Sequence, residues 1–221
     1  MEKRKVKTKK VNRPKIQNSI LEKMEPNFEF ADVIMMGFMA YQYLKLWINP
    51  QIGDANQIFQ YAGLMGFEFI MVHSGVFMAV MPRKISLLVF VPLYGLFAWA
   101  FNEILGGGDI VAYVYLIAVF NRMRFAFFNT SEELKNKQIG RSVFAVMIYF
   151  FLLMFVCFGN ALIPKFGLNE ANLISIGYDA VKTHGGLLLD EPQTALCLGT
   201  IYYFLLALYG LPMRWFWKNY A

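Results

Sequence analysis

QIFQYAGLMGFEFIMVHSGVFMAVM, residues 57–81, is an apolar run interrupted by Glu68 and His73. It is longer than the ~20 residues, at ~1.5 Å rise each, that an α-helix needs to cross a bilayer. A carboxylate and an imidazole in the middle of such a run are costly in lipid, so both side chains should face protein or water. The run therefore predicts the central helix of a multi-pass membrane protein.

The composition of the whole chain agrees with this interpretation. Of the 221 residues, 57% are hydrophobic and only 16% are charged, whereas soluble domains carry about a quarter charged residues. The net charge of +6 is uneven, because nine of the 21 Lys and Arg lie in residues 1–23. We expect residues 1–27 to be a basic, largely disordered cytoplasmic tail that contacts the anionic inner leaflet of the lipid bilayer. No nucleic-acid partner is expected.

Six apolar segments follow the tail and predict six transmembrane helices. The segments span about residues 28–48, 57–81, 85–105, 110–128, 141–163 and 192–215. Residues 164–191 form a long outer loop between the last two segments. Pro192 suits the first turn of the last helix, and Pro92 is expected to kink the third.

The distribution of Lys and Arg among the connections indicates the orientation. The tail, the 82–84 turn and the 129–141 loop are basic, while the connections at 49–56 and 106–109 contain no Lys or Arg. Short basic loops stay in the cytoplasm, so the alternation places both termini there. We therefore expect an all-α, polytopic membrane protein with six transmembrane helices and an N-in, C-in topology.

A cluster of polar residues is expected at mid-membrane depth. If the second and fourth segments both run inwards, Glu68 lies about 17 Å and Arg122 about 18 Å below the starts of their segments. An unpaired charge at that depth costs ~2.5–3.5 kcal/mol, so one interpretation pairs Glu68 with Arg122. In the other, Arg122 and Arg124 extend to the inner headgroups. The sequence does not decide between these two interpretations. His73 and Asn121 are the remaining members of the predicted cluster.

The helical phase of residues 57–81 separates Glu68 from His73. At about 100° per residue, the two side chains are about 140° apart, so they should contact different neighbours. Each of the two side chains lies on the same helix face as a pair of small residues, and another helix can approach closely at such a pair. These pairs are Gly75 and Ala79 for Glu68, and Gly66 and Ala62 for His73.

Neither catalysis nor a metal or cofactor site is expected. Ser74 points about 100° away from His73, the only histidine in an apolar segment, so the two do not form a nucleophile–base pair. Metal and haem sites need several His or carboxylate ligands at one depth. Cys157 and Cys197 both lie in apolar segments, and we expect buried free thiols.

Two stretches of the chain carry a family resemblance. MVHSGVF at residues 71–77 and DEPQTALCLGTIYYFLLAL at residues 190–208 resemble features of uncharacterised multi-pass bacterial membrane proteins, which are grouped as a domain of unknown function. The resemblance covers roughly residues 30–211 and excludes the basic tail. It implies a bacterial inner-membrane setting and no known activity.

These features favour a non-enzymatic, membrane-embedded subunit or scaffold, which would assemble with another membrane protein or with further copies of itself. A transporter or channel for a small solute, an ion or protons is the alternative, with Glu68, His73 and Arg122 along its path. An intramembrane enzyme ranks last. The scaffold ranks first because a solute path usually needs more than one polar cluster.

Overall fold

The computed structural model describes residues 20–81, 85–105, 113, 116 and 132–211. Among these residues there are helices and connections but no strand, which confirms the all-α prediction. Two helical stretches within them, Ile139–Leu162 and Pro192–Gly210, are long and apolar enough to cross a bilayer. Of the fourth predicted segment, residues 110–128, only positions 113 and 116 are described.

Most helix ends lie near the sequence signals, but the helices Ile20–Ile48 and Glu132–Gly159 begin eight and nine residues before their predicted segments. In chain order they are α1 (Ile20–Ile48), α2 (Ala55–Val80), α3 (Val91–Ile104), α4 (Glu132–Gly159), α5 (Glu170–Ile176), α6 (Tyr178–Val181), α7 (Leu187–Asp190) and α8 (Pro192–Gly210). Pro192 occupies the first turn of α8, as predicted. A π-helical turn, Ser86–Phe90, interrupts the third segment just before Pro92. Helix α1 already begins at Ile20, so the end of the predicted tail is helical.

Helix α2 lies at the centre of the described bundle. Residues 61–65 are all buried, and five consecutive residues cover the whole circumference of a helix. A helix that is apolar on every side must be surrounded by other helices. On one of these sides α3 runs antiparallel to α2, because Phe67 contacts Phe101 while Gly63, one turn earlier, meets Leu105 near the end of α3.

Helix α8 packs along α1 in the opposite direction. Gly199, in the first half of α8, faces the ring of Tyr43 near the end of α1. Gly210, at the end of α8, faces Val33 near the middle of α1. The close contact at Gly199 leaves no space for a Cβ atom, since Tyr43 is fully buried. Glycine is therefore required there for the two helices to approach.

Helices α1 and α4 run parallel, because their corresponding ends meet. In the first third of α1 and of α4, Glu29 Oε1 forms ion pairs with Lys137 Nζ at 2.5 Å and with Arg141 Nη2 at 3.1 Å. At the far end, the indole nitrogen of Trp47 donates a hydrogen bond to the Pro164 carbonyl at 2.9 Å. We refer to these as the charged end and the cap end of the bundle.

The connection from α4 to α8, residues 160–191, is a cap segment that is fixed to the end of α1. The Gly167 amide donates to the Trp47 carbonyl at 3.2 Å. A Cβ atom on Gly167 would clash with Pro50, so glycine permits this contact. Next to it, Phe166 adopts a left-handed backbone conformation (φ 43°) and places its ring edge-on to Trp47.

Local hydrogen bonds give the rest of the cap segment its shape. Asn169 caps α5 by accepting from the Asn172 amide at 2.9 Å. The buried hydroxyl of Tyr178 donates to the Leu189 carbonyl at 2.8 Å, and burial raises the pKa of this phenol. Hydrogen bonds from the Gly186 amide and from Lys182 lower the pKa of Asp190. The cap segment is thus a folded part of the protein.

Two identical substitutions test the packing of α8 on α1. Gly199→Ala should lower the free energy of unfolding by about 1–3 kcal/mol, because its methyl group overlaps the buried Tyr43 ring. Gly37→Ala, whose Cβ meets nothing within 4 Å, should instead raise it by about 0.5–1 kcal/mol through helix propensity. Thermal unfolding followed by size-exclusion chromatography measures both. Equal effects of the two variants would contradict the described packing.

Candidate functional site

Glu68 lies in the middle of α2 and is buried, with 7% of its surface exposed. Its Oε1 accepts a hydrogen bond of 2.9 Å from the hydroxyl of Tyr202 in α8. The two residues are 134 positions apart in the chain. This polar contact therefore joins the central helix to α8.

Two further tyrosines bind the same face of α2. The hydroxyl of Tyr43 from α1 donates to the Tyr61 carbonyl at 2.9 Å, and that of Tyr149 from α4 donates to the Met65 carbonyl at 2.5 Å. With Glu68, the acceptors lie at positions 61, 65 and 68, which a helix places on one face. A carbonyl oxygen has two lone pairs, so it can accept a tyrosine in addition to its helical bond. Three helices are thereby bonded to one face of α2.

The donor rings also contact one another. The ring of Tyr203 in α8 lies 5.6 Å from that of Tyr43 and 5.1 Å from that of Tyr202, centroid to centroid. Tyr202 in turn meets Tyr149 edge-on at 5.4 Å. Aromatic pairs at such distances contribute about 0.5–1.5 kcal/mol each beyond their buried area. The tyrosines therefore form one packed cluster around Glu68, which we call the tyrosine cluster (Tyr43, Tyr149, Tyr202 and Tyr203).

His73 lies one to two turns further along α2 and is half-buried. Its Nδ1 is 2.6 Å from the Phe69 carbonyl oxygen, one turn back in the same helix. Because a carbonyl can only accept, Nδ1 carries the proton, and Nε2 holds a lone pair when the ring is neutral. The imidazole also packs against the Phe69 ring, with 4.6 Å between centroids. Among the described residues, the hydrogen bond and the ring contact of His73 both lie within α2.

The line of small residues predicted beside His73 faces α3. Ala62 is fully buried, and a Cβ atom on Gly66 would lie 3.6 Å from the Phe101 ring. Glu68 is instead bonded to α8. Glu68 therefore contacts α8, whereas the small residues Ala62 and Gly66 face α3.

Three members of the predicted polar cluster, Asn121, Arg122 and Arg124, lie outside the described residues. The pairing of Glu68 with Arg122 and the alternative, in which both arginines reach the headgroups, stay predictions. The structure instead identifies tyrosines that sequence reasoning missed. Their signal was positional: Tyr149 and Tyr202 lie near the middle of apolar segments, whereas membrane tyrosines are enriched at interfaces.

Metal ligands and thiols are sparse in the described part of the chain. Within it, no three His, Cys, Asp or Glu side chains lie close enough together to hold a metal ion. Cys197 is a buried free thiol, as expected, but Cys157 is exposed on α4. The prediction of burial was wrong for Cys157, because an apolar segment also has a face that meets no other helix.

Comparison with known proteins gives no family for this chain: no family model, curated protein or solved structure matches it.

Removing one hydroxyl should reveal the contribution of the Tyr202–Glu68 bond. Tyr202→Phe leaves the ring in place but removes the donor, and should lower the free energy of unfolding by about 1–3 kcal/mol. Tyr209→Phe is the matched control, because Tyr209 is on the same helix but half exposed and stacks on Phe144 through its ring. Thermal unfolding in detergent compares them. An equally small effect of both would exclude a structural role for the bond.

Proposed function

We propose that this chain is a multi-pass inner-membrane protein with six transmembrane helices and both termini in the cytoplasm. The observation that carries this proposal is the exposed face of α4. Large apolar side chains recur along it at helical spacing from Val143 to its end, and Leu162 follows in the next turn: Val143, Met147, Phe150, Phe151, Phe155 and Phe158. Soluble monomers rarely expose so large a continuous apolar surface. Contact with lipid would make the exposure of these apolar side chains energetically favourable.

Helix α1 has a face of the same kind. Its exposed large apolar residues also repeat every three or four positions: Phe30, Ile34, Phe38, Tyr41, Leu44 and Ile48. At 29 and 26 residues, α1 and α2 exceed the ~20 residues needed to cross a bilayer. Both are therefore counted among the proposed spans.

The directions of the described helices fit the proposed topology. Helices α1, α3 and α4 run from the charged end towards the cap end. Helices α2 and α8 run back, since Tyr43 near the end of α1 bonds to Tyr61 near the start of α2 and faces Gly199 in the first half of α8. This is the order that six alternating spans require for the first, second, third, fifth and sixth. The charged end, which follows the basic tail, is then cytoplasmic by the positive-inside rule.

Within the membrane, we propose a structural and non-enzymatic role: a subunit or scaffold of a larger assembly. The buried polar groups support this proposal, because they form hydrogen bonds between helices. The hydroxyls of Tyr43, Tyr149 and Tyr202 each bind α2, so they hold helices together. A transporter or channel that uses Glu68, His73 and Arg122 is the second candidate, favoured by the mid-helix burial of Glu68.

Cysteine labelling tests the topology. Gln51 and Glu170 are exposed at the cap end, and Asn136 is exposed near the charged end. In intact cells, a membrane-impermeant maleimide should label Gln51→Cys and Glu170→Cys, whereas Asn136→Cys should react only after lysis. The unsubstituted chain, with Cys157 and Cys197 alone, gives the background. Labelling of all three sites in intact cells, or a chain that fractionates without membranes, would refute the proposal.

Glu68→Gln distinguishes the two candidate functions. A scaffold should lose only stability, by about 1–3 kcal/mol, because the amide oxygen accepts more weakly from Tyr202 than a carboxylate does. A transporter should keep its folded yield and lose its proton-coupled or ion flux in proteoliposomes. Glu103→Gln, the same change at an exposed position of α3, is the control. Loss of flux with unchanged thermal stability would overturn the scaffold proposal.

A further inference from the structure

The charged end of the bundle holds two cations on one carboxylate oxygen. Lys137 Nζ and Arg141 Nη2 lie 2.5 Å and 3.1 Å from Glu29 Oε1. One acid and two bases leave these three residues with a net charge of +1. Lys137 and Arg141 are one turn apart on α4, and Glu29 on α1 forms an ion pair with each, so the carboxylate holds the two cations side by side.

The depth of this cluster relates it to the proposed membrane. Glu29 directly precedes Phe30, the first residue of the exposed apolar face of α1. Arg141 lies two positions before Val143, the first residue of the exposed apolar face of α4. Both apolar faces therefore begin at the same level, immediately beyond the cluster. If those faces meet the acyl chains, the cluster lies at the level of the headgroup phosphates.

The cluster also retains unused donors. An ammonium has three N–H donors and a guanidinium has five, whereas the ion pairs described for Lys137 and Arg141 both involve a single oxygen of Glu29. The Lys137 side chain is 51% exposed, so its ammonium can be reached from outside. Arg141, at 19% exposed, is held more firmly and has the planar shape that binds phosphate oxygens in pairs.

We propose that Glu29, Lys137 and Arg141 form a binding site for the phosphate of an anionic phospholipid of the cytoplasmic leaflet. Lys137 and Arg141 donate to the phosphate oxygens, and Glu29 positions the two cations without contacting the lipid. Basic pockets between transmembrane helices on the cytoplasmic side are typical sites for anionic headgroups. The inference rests on the proposed membrane topology and adds a lipid class and a location, at the charged end where α1 and α4 are joined by ion pairs.

Lipid titration of the full-length protein tests the site. Native mass spectrometry measures the dissociation constant of phosphatidylglycerol for protein held in a zwitterionic detergent. The double variant Lys137→Ala with Arg141→Ala should bind about fivefold more weakly for each base removed, corresponding to about 1 kcal/mol per residue. Phosphatidylcholine should bind wild type and variant alike. The basic tail is common to all proteins compared, so the difference reports the site.

Lys182→Ala is the matched control, because Lys182 also pairs with one carboxylate, Asp190, but lies in the cap segment. It should leave phosphatidylglycerol binding unchanged. If the double variant fails to fold, Lys137→Ala alone serves, because Glu29 then keeps Arg141 as its partner. Equal affinity of wild type and the folded variant would overturn the site.

A second arm distinguishes a lipid from a soluble anion. Inorganic phosphate at the same concentration should not displace phosphatidylglycerol, because it lacks the acyl chains that bind the exposed faces of α1 and α4. Equal displacement by phosphate would overturn the lipid assignment. Failure of the topology itself would appear in the cysteine labelling, so a chain with the expected labelling and unchanged lipid binding disproves only the site.

Discussion

Glu68 is buried in the middle of α2, and a carboxylate in that position is stable only when nearby groups replace the water that it has lost. Tyr202 supplies one such group, and to do so α8 must lie directly against α2. Tyr43 and Tyr149 extend the same principle to the α2 backbone, which accepts bonds from α1 and α4. The positions of three helices are thus tied to one face of a fourth.

Tyrosine suits this arrangement for a physical reason. Its ring fills the space between helices as an apolar side chain would, and its hydroxyl delivers one directed hydrogen bond at the far end. Such a ring needs small neighbours. Gly199 provides the space for the Tyr43 ring, so a close helix contact and a hydrogen bond to α2 depend on the same side chain. A substitution of Tyr43 would therefore change both the packing of α8 on α1 and the hydrogen bond to α2.

The sequence predicted those features that follow from one residue and its local period. The burial of Glu68, the start of α8 at Pro192 and the all-helical class belong to this group. The hydrogen bond between Glu68 and Tyr202 was not predicted. The charge of Glu68 favoured an arginine as its predicted partner. A tyrosine hydroxyl is neutral and gives no such signal, and tyrosine occurs in most of the apolar segments. Which of twelve tyrosines meets Glu68 depends on helix rotation and register, which local periodicity leaves undetermined.

The separation of 134 residues between Glu68 and Tyr202 has a consequence for biogenesis. At ~5–20 residues per second, the ribosome needs roughly 7–27 s to incorporate Tyr202 after it has incorporated Glu68. During that interval α2 exists without α8, and its polar face must be hydrated or bound by something other than its final donor. Helix α8, which is synthesised well after α2, is therefore the one that completes the tyrosine cluster.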